Sequence, residues 1–250
     1  MKSVAITMPV YNEEQGVAEF ILEIGSYLSG YKVVFIVIND CSTDETIERI
    51  MELKQTGVEI ILKNNEHNVG HGVSTRRGLE EALSLTNDLI LSVDGDGQFL
   101  GKEIANIVKL SIENPDCVIE GVRKNRFDPY YRKVVTNFTR LLVMSRTFKL
   151  VKDANTPLRA YPPTLLRQIL SKVPSQALTP NLFISVISRI MKIKIIESDV
   201  TSISRRGQIS EGVTWGPTKK NIPPKKYVIF CLRAIKQWTL IYTTSFNFKN

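Results

Sequence analysis

Two aspartates one residue apart follow a short apolar run near the middle of the 250-residue chain. Residues 94–98 read Asp-Gly-Asp-Gly-Gln, and the apolar run at 89–93 predicts a buried strand directly before them. Two carboxylates at a strand end can share one divalent cation, and the side chain of Gln98 adds a neutral oxygen. Asp94, Asp96 and Gln98 are therefore candidate ligands for Mg²⁺ or Mn²⁺. A solvated Asp-Gly turn is the other interpretation, because Asp-Gly pairs are common in turns.

The elements around this pair alternate between strands and helices over the first 120 residues. The strands are near-continuous apolar runs, which is typical of strands covered by helices on both faces. This alternation predicts an α/β fold with a mostly parallel central sheet flanked by helices, in which ligands collect beyond the carboxyl ends of the strands. The polar segments that follow four of the strands should therefore share one edge of the sheet. Strands are predicted at 4–10, 33–38, 58–62, 89–93 and 117–121, helices at 13–28, 43–54, 72–85 and 102–112, and the polar segments are 12–14, 39–44, 64–72 and 94–98.

The second half of the chain is less regular and strongly basic. Residues 1–120 hold 9 Lys and Arg against 20 Asp and Glu, whereas residues 121–250 hold 24 against 5. A basic half can face nucleic acid, anionic lipid or a phosphorylated substrate, and composition does not choose among them. Helices are predicted at 131–150, 165–170 and 181–191, a strand at 193–196, a mobile loop at 204–217 and an apolar but partly basic segment at 227–246.

Four segments, in this order along the chain, resemble the signatures of the family-2 glycosyltransferases, which have the GT-A (nucleotide-diphospho-sugar transferase) fold. The resemblance implies an inverting, metal-dependent enzyme that takes a sugar from a nucleotide-sugar donor. It makes Asp94 and Asp96 catalytic residues, and a metal ion held by Asp96 and Gln98, with Asp94 close by, would neutralise the departing diphosphate. The segments are Met-Pro-Val-Tyr-Asn-Glu-Glu at 8–14, Ile-Asn-Asp-Cys-Ser-Thr-Asp-Glu-Thr at 38–46, Asn-Val-Gly-His-Gly at 68–72 with Gly78 and Ala82 downstream, and Asp-Gly-Asp-Gly-Gln at 94–98.

The same resemblance assigns roles on the donor side. Asp40, after the second strand, would accept a hydrogen bond from the nucleotide base. Pro9, Tyr11 and Glu13 would line the pocket for the base and ribose, and Asp94 would complete the donor site.

Through the second half the chain looks like the polyprenyl-phosphate (dolichyl-phosphate-mannose synthase-like) branch of that family. The branch usually has Asp-Thr/Ser-Gly-Phe-Arg where residues 153–159 here read Asp-Ala-Asn-Thr-Pro-Leu-Arg, so Pro157 stands in place of Gly. It often has a glutamate in the following helix, where Asn181 is the nearest match. The resemblance rests on Gly121, Val122, Arg123, Arg132, Asp153, Leu158, Arg159, Arg205, Arg206 and Gly207.

The acceptor is inferred from charge. Arg123, Arg126 and Arg132 cluster just beyond the fifth predicted strand, and Arg is suited to bidentate binding of phosphate, although a solvated basic face is the other interpretation. A phosphate acceptor needs no general base because its oxygen is already anionic. We therefore expect a lipid-linked acceptor, polyprenyl phosphate, bound by Arg123 and Arg132. Arg205 or Arg206, in the predicted mobile loop, would close over the donor diphosphate.

Three other functions stay open at this point. A related glycosyltransferase could add a sugar to a hydroxyl of a polysaccharide or lipid-linked oligosaccharide, with Asp153 as the catalytic base. A nucleotidyltransferase also pairs an α/β sheet with acidic metal ligands, but it would usually have a Gly-rich basic loop after the first strand, where this chain is acidic. A nucleic-acid-binding module would leave Asp94 and Asp96 unexplained, so we expect no nucleic acid partner.

The C-terminal region predicts contact with a membrane surface. A spanning helix at 227–246 would place Arg233 and Lys236 near the bilayer centre, which is costly. An amphipathic helix that lies on the membrane is therefore favoured, and a helix docked on the protein's own core is the other interpretation. Three scattered cysteines and the absence of a leader-type segment before the first strand favour a cytoplasmic protein, peripheral on the inner face of the cell membrane.

These expectations divide the chain into a GT-A domain and a C-terminal segment. The domain covers residues 1–217, with a donor-binding half at 1–120 and an acceptor half at 121–217, and the basic amphipathic segment covers 218–250.

Overall fold

The computed structural model of the protein describes residues 1–124, 130–207 and 223–243. The side chains of Tyr130, Arg132 and residues 240–243 lie outside this description. Several predicted features therefore fall wholly or partly outside the described residues: Arg126, the side chain of Arg132, and residues 208–222 and 244–250 of the predicted loop and C-terminal segment.

A seven-stranded sheet forms the centre of the protein, in the order β3-β2-β1-β4-β6-β5-β7. Six strands point the same way, and only β6 is antiparallel to its neighbours, β4 and β5. The loop that enters β6 therefore lies at the same edge as the carboxyl ends of the other strands. The strands are β1 Ser3–Val10, β2 Lys32–Asn39, β3 Ile60–Asn64, β4 Leu89–Ser92, β5 Cys117–Lys124, β6 Arg159–Tyr161 and β7 Lys194–Thr201.

Helices cover both faces of this sheet, so each face has its own apolar core. Side chains of α1, α2 and α4 pack with one set of strand residues, and those of α3, α5, α6, α7 and α8 pack with the alternate set. This division follows from the strand period of two, which sends successive side chains to opposite faces. The helices are α1 Val17–Tyr27, α2 Thr46–Gln55, α3 His71–Ser84, α4 Gly101–Glu113, α5 Tyr130–Thr147, α6 Pro163–Leu170, α7 Pro180–Ile190 and α8 Lys225–Thr243.

The predicted α/β architecture is confirmed; several elements begin or end a few residues from their predicted bounds, β7 extends to Thr201 rather than to residue 196, and two further differences concern β6 and the first helix. The sequence analysis did not predict β6, because a buried strand of three residues is too short to show a period. The first helix begins at Val17 rather than at residue 13, because residues 13–16 form a turn in which Gly16 N and Val17 N donate to Glu13 O.

Close packing of α3 on β1 brings the start of α3 to the carboxyl edge. A Cβ on Gly78 would overlap Thr7 Oγ1, so only glycine allows this approach. The C-terminal helix α8 also packs on the protein. Its Trp238 is buried 5.6 Å from the ring of Phe183, and Gln237 accepts a hydrogen bond from Leu178 N (2.9 Å). One face of α8 is therefore docked on the protein's own core, as the second interpretation of this segment expected.

Candidate active site

Two loops at the carboxyl edge, after β1 and after β2, are tied to each other by hydrogen bonds. Asn12 N donates to Ser42 Oγ (3.0 Å), and Thr43 N donates back to Asn12 Oδ1 (2.9 Å). Glu13 N donates to Thr46 Oγ1 (2.8 Å). Asn12 has a φ of 54°, a left-handed conformation that Asn tolerates better than most residues. The polar residues of the first two signatures thus hold the backbone on which the predicted donor pocket is built.

Asp40 holds the third loop against this edge. It is 3% exposed, and its carboxylate accepts hydrogen bonds from Val69 N (2.9 Å), Gly70 N (2.9 Å) and Asn65 Nδ2 (2.8 Å). The same Asn65 amide nitrogen also donates to Ser74 Oγ (2.9 Å) in α3. Asp40 therefore fixes the segment that leads into α3, a role that the sequence analysis did not foresee. The bond from Asp40 to a nucleotide base stays a prediction.

Asp94 and Asp96 lie in the turn directly after β4. Gly95 N donates to Pro9 O (3.1 Å), and a Cβ on Gly95 would come within 2.9 Å of that oxygen, so glycine lets the turn lie against the end of β1. Gln98 N donates to Asp96 Oδ1 (3.2 Å). Burial and the charge of Asp94 raise the pKa of Asp96 to about 6. The two carboxylates are thus close enough to repel each other, which a cation would relieve.

The protein offers this cation an incomplete set of ligands. Within the described part of the chain, no group of three or more His, Cys, Asp or Glu side chains could hold a metal ion. Mg²⁺ commonly takes one or two carboxylates and completes its shell with water and substrate phosphates. The donor set of Asp94, Asp96 and Gln98 fits that mode of binding, in which the diphosphate supplies the remaining oxygens.

His71, at the start of α3, belongs to the same site. Its Nε2 lies 3.2 Å from Asp94 Oδ1. Desolvation alone would lower the pKa of His71, but the charge and hydrogen bond of Asp94, with the charges of Asp96 and Asp40, raise it to about 9. The sequence analysis assigned His71 no role of its own. Its place in the third signature, at 68–72, was the available signal.

Arg205 lies in the segment that follows β7, and its side chain reaches Glu13 in the loop after β1. Its Nε donates to Glu13 Oε2 (3.0 Å), and its second guanidinium nitrogen pairs with Glu13 Oε1. Burial raises the pKa of Glu13 to about 7; Arg205 opposes this rise, and Asp96 and Asp94 add to it. The structure therefore brings Glu13 and Arg205 together beside the acidic pair.

Arg206, in contrast, is held on α1. Its guanidinium donates to Gly97 O (3.2 Å) and Glu19 Oε1 (2.8 Å), pairs with Glu23, and lies 5.2 Å from the centre of the Phe20 ring. Its side chain is 12% exposed. In this conformation Arg206 fastens the 203–207 segment to α1 and the 94–98 turn. The roles of Arg205 and Arg206 at the donor diphosphate stay predictions, and Arg205 is the one that lies beside Glu13.

Arg123 and Asp153, predicted for two different roles, bind each other. Arg123 Nε donates to Asp153 Oδ2 (2.7 Å) and its Nη2 to Asp153 Oδ1 (3.0 Å), and Asp153 is 4% exposed. Arg123 Nη2 also donates to Asn155 O (3.2 Å), and Thr156 Oγ1 donates to Gly121 O (2.5 Å). The pair thus fastens the loop before β6 to the end of β5. A carboxylate held this way is a poor general base, and an arginine held this way is less free to bind phosphate.

A buried ionic network beneath this loop was missed at the sequence level. Glu120, in β5, lies 3.2 Å from Arg159 Nη1 and 2.8 Å from Arg189 Nη2, and all three side chains are at most 5% exposed. Arg159 Nε and Nη2 donate to Thr156 O (3.1 Å) and Ala154 O (3.0 Å). Arg159, quoted above only for its resemblance to the polyprenyl-phosphate branch, therefore supports the backbone of the loop that carries Asp153.

Two buried side-chain oxygens on the acceptor side have no hydrogen-bond partner in the described structure. They are Thr179 Oγ1 and Asn181 Oδ1, at the start of α7. A Cβ on Gly72 would overlap Leu178 O, so the start of α7 lies beside the start of α3, next to His71. Asn181, the nearest match to the glutamate of the polyprenyl-phosphate branch, is thus a buried side chain whose amide oxygen has no hydrogen-bond partner in the described structure.

The remaining predicted residues divide between the described and undescribed parts of the chain. Pro9 is buried at the end of β1, and Tyr11 follows it half-buried. Arg132 lies in the first turn of α5, with its side chain outside the described residues. The residues predicted to bind the donor therefore gather at the ends of β1, β2 and β4 and in the segment after β7, and those predicted to bind the acceptor lie at the end of β5 and beyond.

Comparison with known proteins gives one family. The sequence profile described as Glycosyl transferase family 2 matches residues 5–173, which is more than half of the chain. The matched region includes all four signature segments and extends past β6.

Solved structures share the fold at low identity. Glucosyl-3-phosphoglycerate synthase from Mycobacterium tuberculosis, in complex with Mn²⁺, UDP-glucose and glycerol 3-phosphate, is similar with a TM-score of 0.65 and 14% identity, over 96% of this chain and 79% of that chain. The complex of the same synthase with Mn²⁺, UDP and glucosyl-3-phosphoglycerate gives 0.64 and 16% identity, with the same coverage. At such identity the likeness establishes the fold alone.

Proposed function

The chain belongs to glycosyl transferase family 2, and from this premise we propose that it moves a sugar from a nucleotide-sugar donor to a lipid-linked phosphate, with the help of Mg²⁺ or Mn²⁺. Membership confirms the prediction of a glycosyltransferase and sets the nucleotidyltransferase alternative aside. The donor, the metal and above all the acceptor are the parts that this proposal adds.

One observation carries the proposal: the position of Asp94 and Asp96 at the end of β4. Because β4 lies between β1 and β6, the pair has the donor-side loops on one side and the 153–158 loop on the other. A diphosphate bound at the pair would therefore have its sugar directed to the boundary between the two halves of the site. That is the geometry that a direct displacement needs.

Asp94, Asp96 and Gln98 would hold the divalent cation. Bound there, it would neutralise the charge that develops on the leaving diphosphate. Similar solved structures contain Mn²⁺ and UDP, which supports a divalent cation and makes UDP-sugars the first donors to test.

Three other side chains of this protein would act on the donor. Arg205, which already lies beside Glu13 and the acidic pair, supplies positive charge to the diphosphate. Asp40 holds the third loop in place, and the proposal keeps it as the residue that would accept a hydrogen bond from the base. His71, whose Nε2 lies 3.2 Å from Asp94 Oδ1, would help to hold that carboxylate in place.

The state of Asp153 favours an anionic acceptor over a hydroxyl acceptor. A hydroxyl must lose its proton to a base, but both carboxylate oxygens of Asp153 are bound by Arg123. A phosphate oxygen attacks without that step. The similar solved structures were crystallised with phosphoglyceric acid or glycerol 3-phosphate, so a small soluble phosphate is the alternative to be tested beside a lipid phosphate.

The acceptor class also bears on where the protein works. A polyprenyl phosphate is confined to a membrane, so the enzyme would act as a peripheral protein on its inner face. The basic segment predicted at 218–250, of which residues 223–243 are described, supports this part of the proposal. None of the described helices is long and apolar enough to cross a membrane.

The test begins with the donor and then separates the acceptors. Nucleotide sugars are screened by thermal shift with and without Mn²⁺, and transfer is then measured to polyprenyl phosphate, to 3-phosphoglycerate and to a sugar hydroxyl. We expect transfer to the lipid phosphate, loss of at least a hundredfold in kcat for Asp96→Asn, and the same loss for wild type in excess chelator. Full activity in chelator would refute the metal. Transfer to the hydroxyl alone, abolished in Asp153→Asn, would refute the acceptor class.

A further inference from the structure

Exposed apolar side chains are concentrated on one part of the surface. Of the fourteen large apolar side chains that are exposed among the described residues, ten belong to α5, the turn after it, and α8. Elsewhere the exposed apolar residues are single, which is normal for a soluble protein and needs no explanation. The ten are Val134, Phe138, Leu141, Met144, Phe148 and Leu150 in residues 130–150, and Val228, Ile229, Leu232 and Ile235 in α8.

The spacing on α8 gives that helix two different apolar sides. Tyr227 and Trp238 are buried against the protein. Val228, Leu232 and Ile235 follow the i, i+4, i+7 spacing of one helix face and are 41%, 62% and 41% exposed. The outer stripe is therefore not needed to dock α8, and within the described part of the chain it is exposed.

The same division is found on α5. Val143 is fully buried in the core that also contains Trp238, whereas Val134, Phe138 and Leu141 lie on the opposite stripe at the same i, i+4, i+7 spacing. The two helices meet at Tyr131 of α5, whose ring contacts that of Tyr227 edge to face at 5.3 Å. Both helices lie on the same side of the sheet as α7, so their outer stripes belong to one layer.

The charge of this layer selects the partner. Residues 130–150 and 225–243 together contain nine Lys and Arg and no Asp or Glu. Six of these side chains are exposed in the described structure: Lys133, Lys149, Lys225, Lys226, Arg233 and Lys236. An anionic bilayer meets both properties at once, because apolar side chains enter the acyl region while Lys and Arg extend to the headgroups. A second copy of the chain would bring like charges together, which is unfavourable.

We propose that the outer stripes of α5 and α8, with their lysines and arginines, form a single surface that binds anionic membranes; we call it the α5–α8 face. The proposal deepens the membrane part of the proposed function, and it extends the contact from the C-terminal segment to a helix within the catalytic domain. It depends on neither the donor nor the acceptor chemistry.

The α5–α8 face adjoins the catalytic edge. Gln237 of α8 donates to Gln176 O (2.7 Å) and accepts from Leu178 N (2.9 Å). Leu178 in turn lies against Gly72, the residue after His71. A bilayer on this face would therefore lie near the acceptor side of the metal pair rather than on the far side of the protein.

The test is flotation of the full-length protein with vesicles of phosphatidylcholine alone and of phosphatidylcholine mixed with phosphatidylglycerol. Two double variants place charge on each helix separately: Phe138→Glu with Leu141→Glu on α5, and Leu232→Glu with Ile235→Glu on α8. We expect wild type to bind the anionic vesicles, and each double variant to bind at least tenfold more weakly. Because these positions are exposed, the melting temperature should stay close to that of wild type.

A matched control keeps the added charge and moves it to another surface. Leu22→Glu with Met51→Glu changes two exposed apolar residues of α1 and α2, on the other side of the sheet, and should bind vesicles within twofold of wild type.

Three results would overturn the proposal. The first is unchanged vesicle binding by the α5 variant, and the second is an equal loss of binding by the control. The third is a wild-type protein that binds no vesicles but forms a dimer in analytical ultracentrifugation, with the α5 and α8 variants as monomers. Since flotation is done without donor or acceptor, failure of the proposed transfer reaction would not affect its outcome.

Discussion

Removal of the Asp40 carboxylate should disturb the fold and the donor site together. In Asp40→Ala, three N–H groups lose their acceptor: Asn65 Nδ2, Val69 N and Gly70 N. At a net cost of about 1 kcal/mol for each lost hydrogen bond, the variant should lose about 3 kcal/mol of unfolding free energy. Asp40→Asn keeps one oxygen for two of these donors and turns its amide toward the third, so it should lose about 1–2 kcal/mol.

The assay has two readouts on the same protein samples. Urea unfolding gives the free energy of unfolding, and calorimetry gives the affinity for the nucleoside diphosphate that stabilises wild type. We expect the Kd of Asp40→Asn to rise at least tenfold, because both the third loop and the predicted base contact are altered. Asp88→Asn is the control. Asp88 also accepts three hydrogen bonds, from Ser3 and Lys2, but it lies at the opposite edge of the sheet, so its change should leave the Kd unaltered.

Two results would refute this reasoning about Asp40. A stability within 0.5 kcal/mol of wild type for Asp40→Ala would mean that the loop is held by other contacts, since changes of that size are typical of unconstrained surface sites. A normal Kd in a destabilised Asp40→Asn would remove Asp40 from the donor site and leave it a structural role only.

Three further predictions follow from the packing and charges around the site. Gly78→Ala should lower the free energy of unfolding by about 3 kcal/mol, because its Cβ would overlap a side chain of β1. Gly25→Ala, in a helix with open space around it, should raise the free energy of unfolding by about 0.5–1 kcal/mol, and thermal unfolding of the two variants measures both changes. Arg205→Ala should lower kcat, and Arg206→Ala should lower the free energy of unfolding by about 1–2 kcal/mol with a smaller effect on kcat; kinetics and urea unfolding on both variants separate the two roles. In metal-free protein, Glu13 has a pKa of about 7 against 4.5 in the unfolded chain, so the folded state holds a proton that the unfolded chain releases. Stability should therefore fall as pH rises through that window, and Glu13→Gln should flatten the fall, measured by urea unfolding at a series of pH values.

The place of the predicted donor side in the fold was the part that the sequence could predict. Its residues follow strands directly, so strand order and a shared edge were enough to bring Asp40, Asp94 and Asp96 together. Their partners also fall in the signature segments. Asp40, in the second signature, accepts hydrogen bonds from Val69 N and Gly70 N in the third, and Gln98 N binds Asp96 within the fourth.

The acceptor side could be predicted only in outline, because its contacts join residues far apart in sequence. Glu120 pairs with Arg189, 69 positions away, and nothing in either segment indicates the other. Arg123 and Asp153 were assigned separate roles for the same reason, since spacing does not reveal a bidentate pair across 30 residues. The antiparallel strand β6, which aligns these charges, is too short to be seen as a strand before the structure is known.

We expect the donor site to be completed by the basic half of the chain. Residues 1–120 carry 20 acids against 9 bases, yet a donor diphosphate is strongly anionic, so its site needs cations from elsewhere. The segment after β7 brings one: Ile203 N donates to Gln98 O (3.0 Å) and Arg206 N to Asp96 O (3.2 Å), and these bonds set Arg205 beside Glu13. The predicted boundary at residue 120 therefore marks a change in charge, but the metal turn and the 203–206 segment form one unit. Binding of the donor should depend on both, because the cation held by the first half and the arginine supplied by the second neutralise the same diphosphate.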